Sequence, residues 1–256
     1  MKTWVVSIVI SLAVISTLVS GAVAGEARLA VASSFAQPAR ALGDVFEAQT
    51  GHPVRFSFGS TGLLYTQIVH GAPFDLFLAA DQARPKKAIE EGHAIAGSRF
   101  TYAQGSLVLY SNEPDRLPGA ETLRNRNYTR LAIANARTAP YGAAAVEALQ
   151  ALGIYGDVQG KIVQGANIAQ AFQFVQTGNA ELGFVARAQL PADGQGSYWI
   201  VPTVLYTPLR HDAVLLGQGD NEAAQDFLTF LKSETARAII TRHGFDLPSE
   251  KSRSDT

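Results

Sequence analysis

Short apolar runs of strand length alternate with stretches in which apolar residues return every three to four positions. Residues 28–33, 54–58, 74–80, 106–111, 130–135, 161–164, 181–186, 197–203 and 213–217 are the apolar runs, and they predict strands. After the first run, Leu42, Val45 and Phe46 fall on one helical face. Gly51 ends that helix, and His52-Pro53 forces an extended exit. After the second run, Leu63, Leu64 and Ile68 have helical spacing. Gly71-Ala72-Pro73 marks a turn, and Asp81 is placed to cap a helix that runs through Lys86, Lys87 and Ile89 to Glu91. Pro114 and Pro118 mark residues 112–119 as a polar loop. Helices are predicted over 143–152, 168–176, 221–233 and 234–243, followed by a polar tail at 249–256.

This βα alternation predicts mainly parallel sheets covered by helices. In such folds ligands bind beyond the carboxyl ends of the strands. Four strand-to-helix junctions stand out: Ser33-Ser34, Gly59-Ser60-Thr61-Gly62, Pro140-Tyr141-Gly142 and Asn167-Ile168. They are shared between two sequence halves, 26–105 and 107–205, which suggests two lobes facing each other across a cleft. A helix start leaves its first N–H groups unpaired and carries about half a positive charge. Glycine lets a ligand approach the backbone closely, and Ser34, Ser60 and Thr61 add hydroxyl donors. Any of these hydroxyls would also serve as an ordinary helix cap.

Composition narrows the chemistry. The 256 residues are 47% hydrophobic and 17% charged, with a formal net charge of −1. That balance argues against nucleic acid and against a polybasic membrane contact. Cysteine is absent, which excludes disulfides, thiolate metal sites and cysteine nucleophiles. The five histidines, His52, His70, His93, His211 and His243, form no short metal-ligand spacing. Residues 1–24 read as a secretory signal peptide, with Lys2 as the charged start, 5–19 as the apolar stretch and Ala22-Val23-Ala24 before a cut at Gly25. The mature protein is therefore expected to be soluble and periplasmic, without membrane insertion after cleavage.

The chain resembles the periplasmic molybdate-binding proteins of ABC-type molybdate importers, the ModA family. The matching segments are Ala32-Ser33-Ser34-Phe35, Phe58-Gly59-Ser60-Thr61-Gly62, Gly71-Ala72-Pro73-Phe74-Asp75-Leu76-Phe77 with Ala80-Asp81, Ala139-Pro140-Tyr141-Gly142, and Glu181-Leu182-Gly183-Phe184-Val185. They run in family order over nearly all of the mature chain. The resemblance implies an α/β type II periplasmic binding protein fold, two lobes with a ligand cleft between them and two crossing strands joining them. Lobe one would be 25–105 plus 207–256, and lobe two 106–206.

The resemblance also implies a function: capture of molybdate or tungstate and delivery to the membrane permease of an ABC importer, by a monomer with no cofactor and no catalytic residue. Carried over position by position, the contacts fall on Ser34, with Ser33 secondary, on Thr61, with Ser60 as the alternative register, on Tyr141 and on the backbone amide of Ile168. Molybdenum would be held as the oxyanion by these residues and never as a bare cation. Where some members have a tyrosine after the Gly-hydrophobic-Val segment, here Gly183-Phe184-Val185, this chain has Ala186. Tyr141 is expected to donate its amide while its ring covers the cleft mouth; the alternative is that its phenol replaces the hydroxyl missing at Ala186.

A fully deprotonated tetrahedral dianion offers acceptors and no donor, so neutral donors at converging helix starts suit it. None of the four junctions contains a lysine, arginine, histidine or carboxylate. Two other readings remain. One is a binding protein for another small oxyanion such as sulfate. The other is a secreted serine hydrolase, which Gly59-Ser60-Thr61-Gly62 does not favour, because it is not a G-x-S-x-G elbow.

Overall fold

The computed structural model describes residues 25–217 and 219–248. The signal peptide expected at 1–24 and the tail at 249–256 lie outside the described residues. Ten strands run along the chain: β1 (Ala27–Ala32), β2 (Val54–Gly59), β3 (Leu76–Leu78), β4 (Phe100–Gly105), β5 (Leu107–Ser111), β6 (Leu131–Ala134), β7 (Ile162–Gly165), β8 (Leu182–Ala186), β9 (Ser197–Ile200) and β10 (Leu209–Leu215). The helices are α1 (Ala36–Thr50), α2 (Thr61–Val69), α3 (Ala83–Glu90), α4 (Ala120–Asn125), α5 (Pro140–Ala151), α6 (Tyr155–Val158), α7 (Ile168–Gln176), α8 (Glu222–Phe230) and α9 (Glu234–Arg242).

Two five-stranded sheets result, in the orders β2-β1-β3-β10-β4 and β7-β6-β8-β5-β9. Strands β1, β3, β5, β6 and β8 are buried almost throughout. That explains why they read as continuous apolar runs, since a strand covered on both faces has no polar side. Around the first sheet, Phe35, Phe46, Phe227 and Phe245 pack edge to face, with ring centroids 5.1 Å apart for Phe35–Phe245 and for Phe46–Phe227. Each such ring stabilises the fold by about 1.5–3 kcal/mol through burial.

The expectation of mainly parallel sheets is corrected. Each sheet is mixed: β2, β1 and β3 are parallel, but β10 runs antiparallel to β3 and β4 antiparallel to β10. In the second sheet β5 is antiparallel to both β8 and β9. The reason is the route of the chain. Only Ser106 separates β4 from β5, so the backbone passes straight from one sheet into the other, and it returns through residues 201–208. Strands that arrive this way have no βα crossover to impose a parallel direction.

Strand β4 and helices α4 and α6 go beyond the predicted elements. Strand β4 mixes Phe100 and Tyr102 with Thr101 and Gln104, too polar a pattern to stand out. Helix α5 begins at Pro140 rather than at 143, with the proline in its first turn, where a missing N–H costs nothing. The last strand begins earlier than expected, at Leu209.

Candidate functional site

The four junctions meet in space. Each lies at the carboxyl end of a strand in one of two parallel pairs, β1 beside β2 and β6 beside β7. Ser33 and Ser34 form a single 3₁₀ turn between β1 and α1. Ser60 is the N-cap residue of α2 and Thr61 its first residue. Tyr141 is the second residue of α5. Ile168 opens α7, whose cap Asn167 accepts a hydrogen bond from the Gln170 N–H at 3.1 Å. Ser33, Ser34, Thr61, Tyr141 and Ile168 line one small cavity, joined by Ser60 and by small residues such as Ala32, Gly59 and Ala139. These five and Ser60 are all buried, none more than 6% exposed.

The hydroxyls divide into two kinds. The Ser34 and Ser60 Oγ atoms are buried and have no hydrogen-bond partner among the described residues. Burying a hydroxyl unpaired costs roughly 1–3 kcal/mol, so these two point to a ligand rather than to the fold. Ser60 occupies the cap position but makes no cap hydrogen bond, which removes the ordinary explanation for it. Thr61 differs. Its Oγ1 accepts from the Ala80 N–H at 3.1 Å. A hydroxyl that accepts in this way still keeps its own proton to donate.

Backbone donors complete the set. The N–H groups of Tyr141 and Ile168 have no acceptor among the described residues. Gln189 fixes the start of α7, because its Nε2 donates to the Ile168 carbonyl at 3.2 Å while its Oε1 accepts from the Ala186 N–H at 2.9 Å. No charged side chain lines the cavity among the described residues. Among those residues no group of three or more His, Asp or Glu side chains is placed to hold a cation, and no histidine bonds to Ser33, Ser34 or Ser60.

Helices α2 and α3 touch the turn before α5 beside the cavity. The Gly62 N–H donates to the Thr138 carbonyl at 2.8 Å, and Arg84 Nη2 donates to the Arg137 carbonyl at 3.2 Å. Arg137 thus takes part in this contact through its backbone.

One expectation is corrected. The Tyr141 ring does not cover the cleft mouth; it is 2% exposed and turned inward. Its phenol oxygen lies 3.5 Å from His211 Nε2 and beside the Ser34 hydroxyl, with which it forms no well-aligned hydrogen bond. Burial pushes the phenol pKa far up. Sequence reading assigned His211 no role, and nothing in the sequence could have, since it stands 70 residues from the tyrosine it touches.

His211 itself is fully buried, and that burial pulls its pKa from 6.5 down to about 3. Below pH 6.5 the unfolded chain takes up a proton here that the folded chain refuses. Stability present above pH 6.5 should therefore be lost as the pH falls toward 3, with a slope approaching one proton, about 1.4 kcal/mol per pH unit. Urea unfolding between pH 6.5 and 4 should show a steeper acid loss for wild type than for His211→Phe. Equal slopes would mean that the ring takes up its proton while still folded.

Comparison with known proteins agrees with this geometry. The sequence pattern of the bacterial extracellular solute-binding protein family matches residues 27–246. The molybdate-binding protein ModA of Rhodobacter capsulatus is 47% identical over 236 residues, 92% of this chain and 94% of that protein. Its counterpart from Azotobacter vinelandii is 49% identical over 235 residues, 90% of this chain and 93% of that one. The solved structure of the Azotobacter vinelandii periplasmic molybdate-binding protein superposes with a TM-score of 0.84 at 37% identity, covering 87% of this chain and all of that one. The chain belongs to the bacterial extracellular solute-binding protein family, in the group of the ModA proteins.

Proposed function

We propose that this chain captures molybdate or tungstate in the cavity between its two sheets and hands it to the membrane permease of an ABC importer. The observation that carries the reading is the pair of buried, unpartnered hydroxyls, Ser34 and Ser60, at helix starts in a cavity that no charged group lines. Such a cavity offers donors and almost no acceptors. A ligand with protons of its own would leave them unpaired, whereas a deprotonated tetraoxoanion has none. Ser34, Ser60 and Thr61 donate hydroxyl protons, Tyr141 and Ile168 donate backbone N–H groups, and Ser33 lines the same wall. Helix dipoles supply the positive potential that no side chain provides.

Each group in this set comes from a single chain, so the unit of binding is the monomer. We take residues 25–105 with 207–256 as one lobe and 106–206 as the other. The crossings are held together where the Leu107 N–H donates to Tyr206 Oη at 3.2 Å. Export through a signal peptide cut before Gly25 would place the chain in the periplasm. Among the described residues no helix is long and apolar enough to cross a membrane.

Isothermal titration of the chain from Gly25 should give one molybdate or tungstate per protein, with sulfate at equal concentration failing to compete. Sulfate competing as well as tungstate would refute the specificity, and no heat with any of the three would refute the function.

A further inference from the structure

Behind the cavity, three polar side chains are sealed in an apolar setting. The Tyr141 phenol leaves α5 and enters the space beside β4 and β10. A Cβ on Gly105 would lie 1.9 Å from the phenol oxygen and 3.2 Å from His211 Nε2, so the bare glycine is what admits the phenol. His211 Nδ1 lies 3.4 Å from the Tyr102 phenol, and Nε2 lies 3.5 Å from that of Tyr141. Phe35 packs edge to face on Tyr102, and Phe245 on His211. These N···O distances are at the outer limit of hydrogen bonding. The groups have no better partners among the described residues, and buried polar atoms pair with what is available.

Counting protons gives this row a direction. A neutral imidazole has one N–H and one lone pair. If the proton is on Nδ1, it points to Tyr102, and Nε2 must accept the Tyr141 proton. The Tyr141 oxygen then offers only lone pairs to Ser34 and draws the serine proton away from the cavity. If the proton is on Nε2, Tyr102 donates to Nδ1 and Nε2 donates to Tyr141. Tyr141 is then free to donate to Ser34 Oγ, and Ser34 turns its proton into the cavity. A ligand made only of acceptors favours the second arrangement, because each bond in the row then feeds a donor to it.

We propose that His211 is a positioning residue for the anion site: as the Nε2–H tautomer it aligns the bonds Tyr102 to His211 to Tyr141 to Ser34, so that Ser34 presents its proton to a ligand that carries none. The proposal rests on the oxyanion reading of the cavity and names how the fold's interior sets the donor character of one wall. It also gives Tyr141 a role through its phenol in addition to its amide.

Nitrogen-15 NMR of histidine-labelled protein saturated with molybdate tests this directly. The His211 ring is assigned through its contacts with the rings of Tyr102 and Phe245, and its proton should sit on Nε2. A proton on Nδ1, or a doubly protonated ring, would overturn the proposal whether or not any variant folds. In calorimetry, His211→Phe should weaken molybdate binding about tenfold in the wild-type background and much less in the Tyr141→Phe background. His211→Gln, whose amide can still donate to the phenol, should recover part of the loss. Equal losses from His211→Phe in both backgrounds would show that the ring only fills space. A wild-type chain that takes up no molybdate would refute the functional reading, whereas normal uptake with the proton on Nδ1 would refute the relay alone.

Discussion

Replacing Ser34 by alanine and Thr61 by valine together should weaken molybdate binding by about 3–6 kcal/mol, since a hydrogen bond to a charged group is worth roughly 1.5–3 kcal/mol. That corresponds to a loss of about a hundredfold to ten-thousandfold. The two changes should act differently on the fold. Ser34 Oγ makes no well-aligned hydrogen bond among the described residues, so Ser34→Ala should change the melting temperature of the ligand-free protein little. Thr61→Val strands the Ala80 N–H that Thr61 Oγ1 now satisfies, and should cost about 1–3 kcal/mol of stability. Thr61→Ser keeps both the acceptor and the donor and should bind nearly as wild type does. Calorimetry beside thermal melts separates these effects. A double variant that binds within threefold of wild type would show that neither hydroxyl touches the ligand.

Much of the fold was legible because the strands that build it are buried on both faces. Runs such as Leu107–Ser111 and Leu182–Ala186 are wholly buried, and an uninterrupted apolar run leaves little choice of reading. Strand β4 was not legible, for the opposite reason. It gains its place by pairing with β10, more than a hundred residues away, and its own residues are partly exposed. The mixed strand directions were hidden in the same way, because local sequence does not record that the chain enters a sheet directly from the other sheet.

The candidate site was legible where its chemistry is local. A hydroxyl or glycine at one strand-to-helix junction reads as an ordinary cap, and it was the ordered set of four junctions that pointed to an anion site. The groups that stand behind those junctions were not legible. Gly105, His211 and Tyr102 come from β4 and β10, and only folding brings them to the Tyr141 phenol. The same holds for the Gly62 and Arg84 contacts to the carbonyls of Thr138 and Arg137. They join α2 and α3, which pack with the first sheet, to the turn that leads from β6 of the second into α5.

Gly142→Ala should abolish tight binding while Gly156→Ala, in the same lobe, should not. Gly142 lies in the first turn of α5 against the end of β6. An added Cβ would fall 2.2 Å from the Ala134 carbonyl oxygen, 2.7 Å from its carbon and 3.0 Å from the Ala136 nitrogen. All three are backbone atoms, so no side chain can swing aside. Relief requires the start of α5 to lift by about an ångström from the strand, at a cost of about 1–3 kcal/mol for overpacking, with more where the backbone resists. The same lift carries the Tyr141 N–H away from the cavity and withdraws its phenol from His211. Donors misplaced by that distance no longer make useful hydrogen bonds, so the affinity loss should exceed that of any single hydroxyl. At Gly156 an added methyl group would meet nothing within 4 Å, and alanine suits a helix better than glycine by roughly 0.5–1 kcal/mol. Gly156→Ala should therefore melt at or above the wild-type temperature and bind normally. Thermal melts and molybdate titrations on the two variants decide the matter. A Gly142→Ala protein that melts and binds like wild type would show that α5 is free to shift on β6, and that its first turn does not fix the anion site.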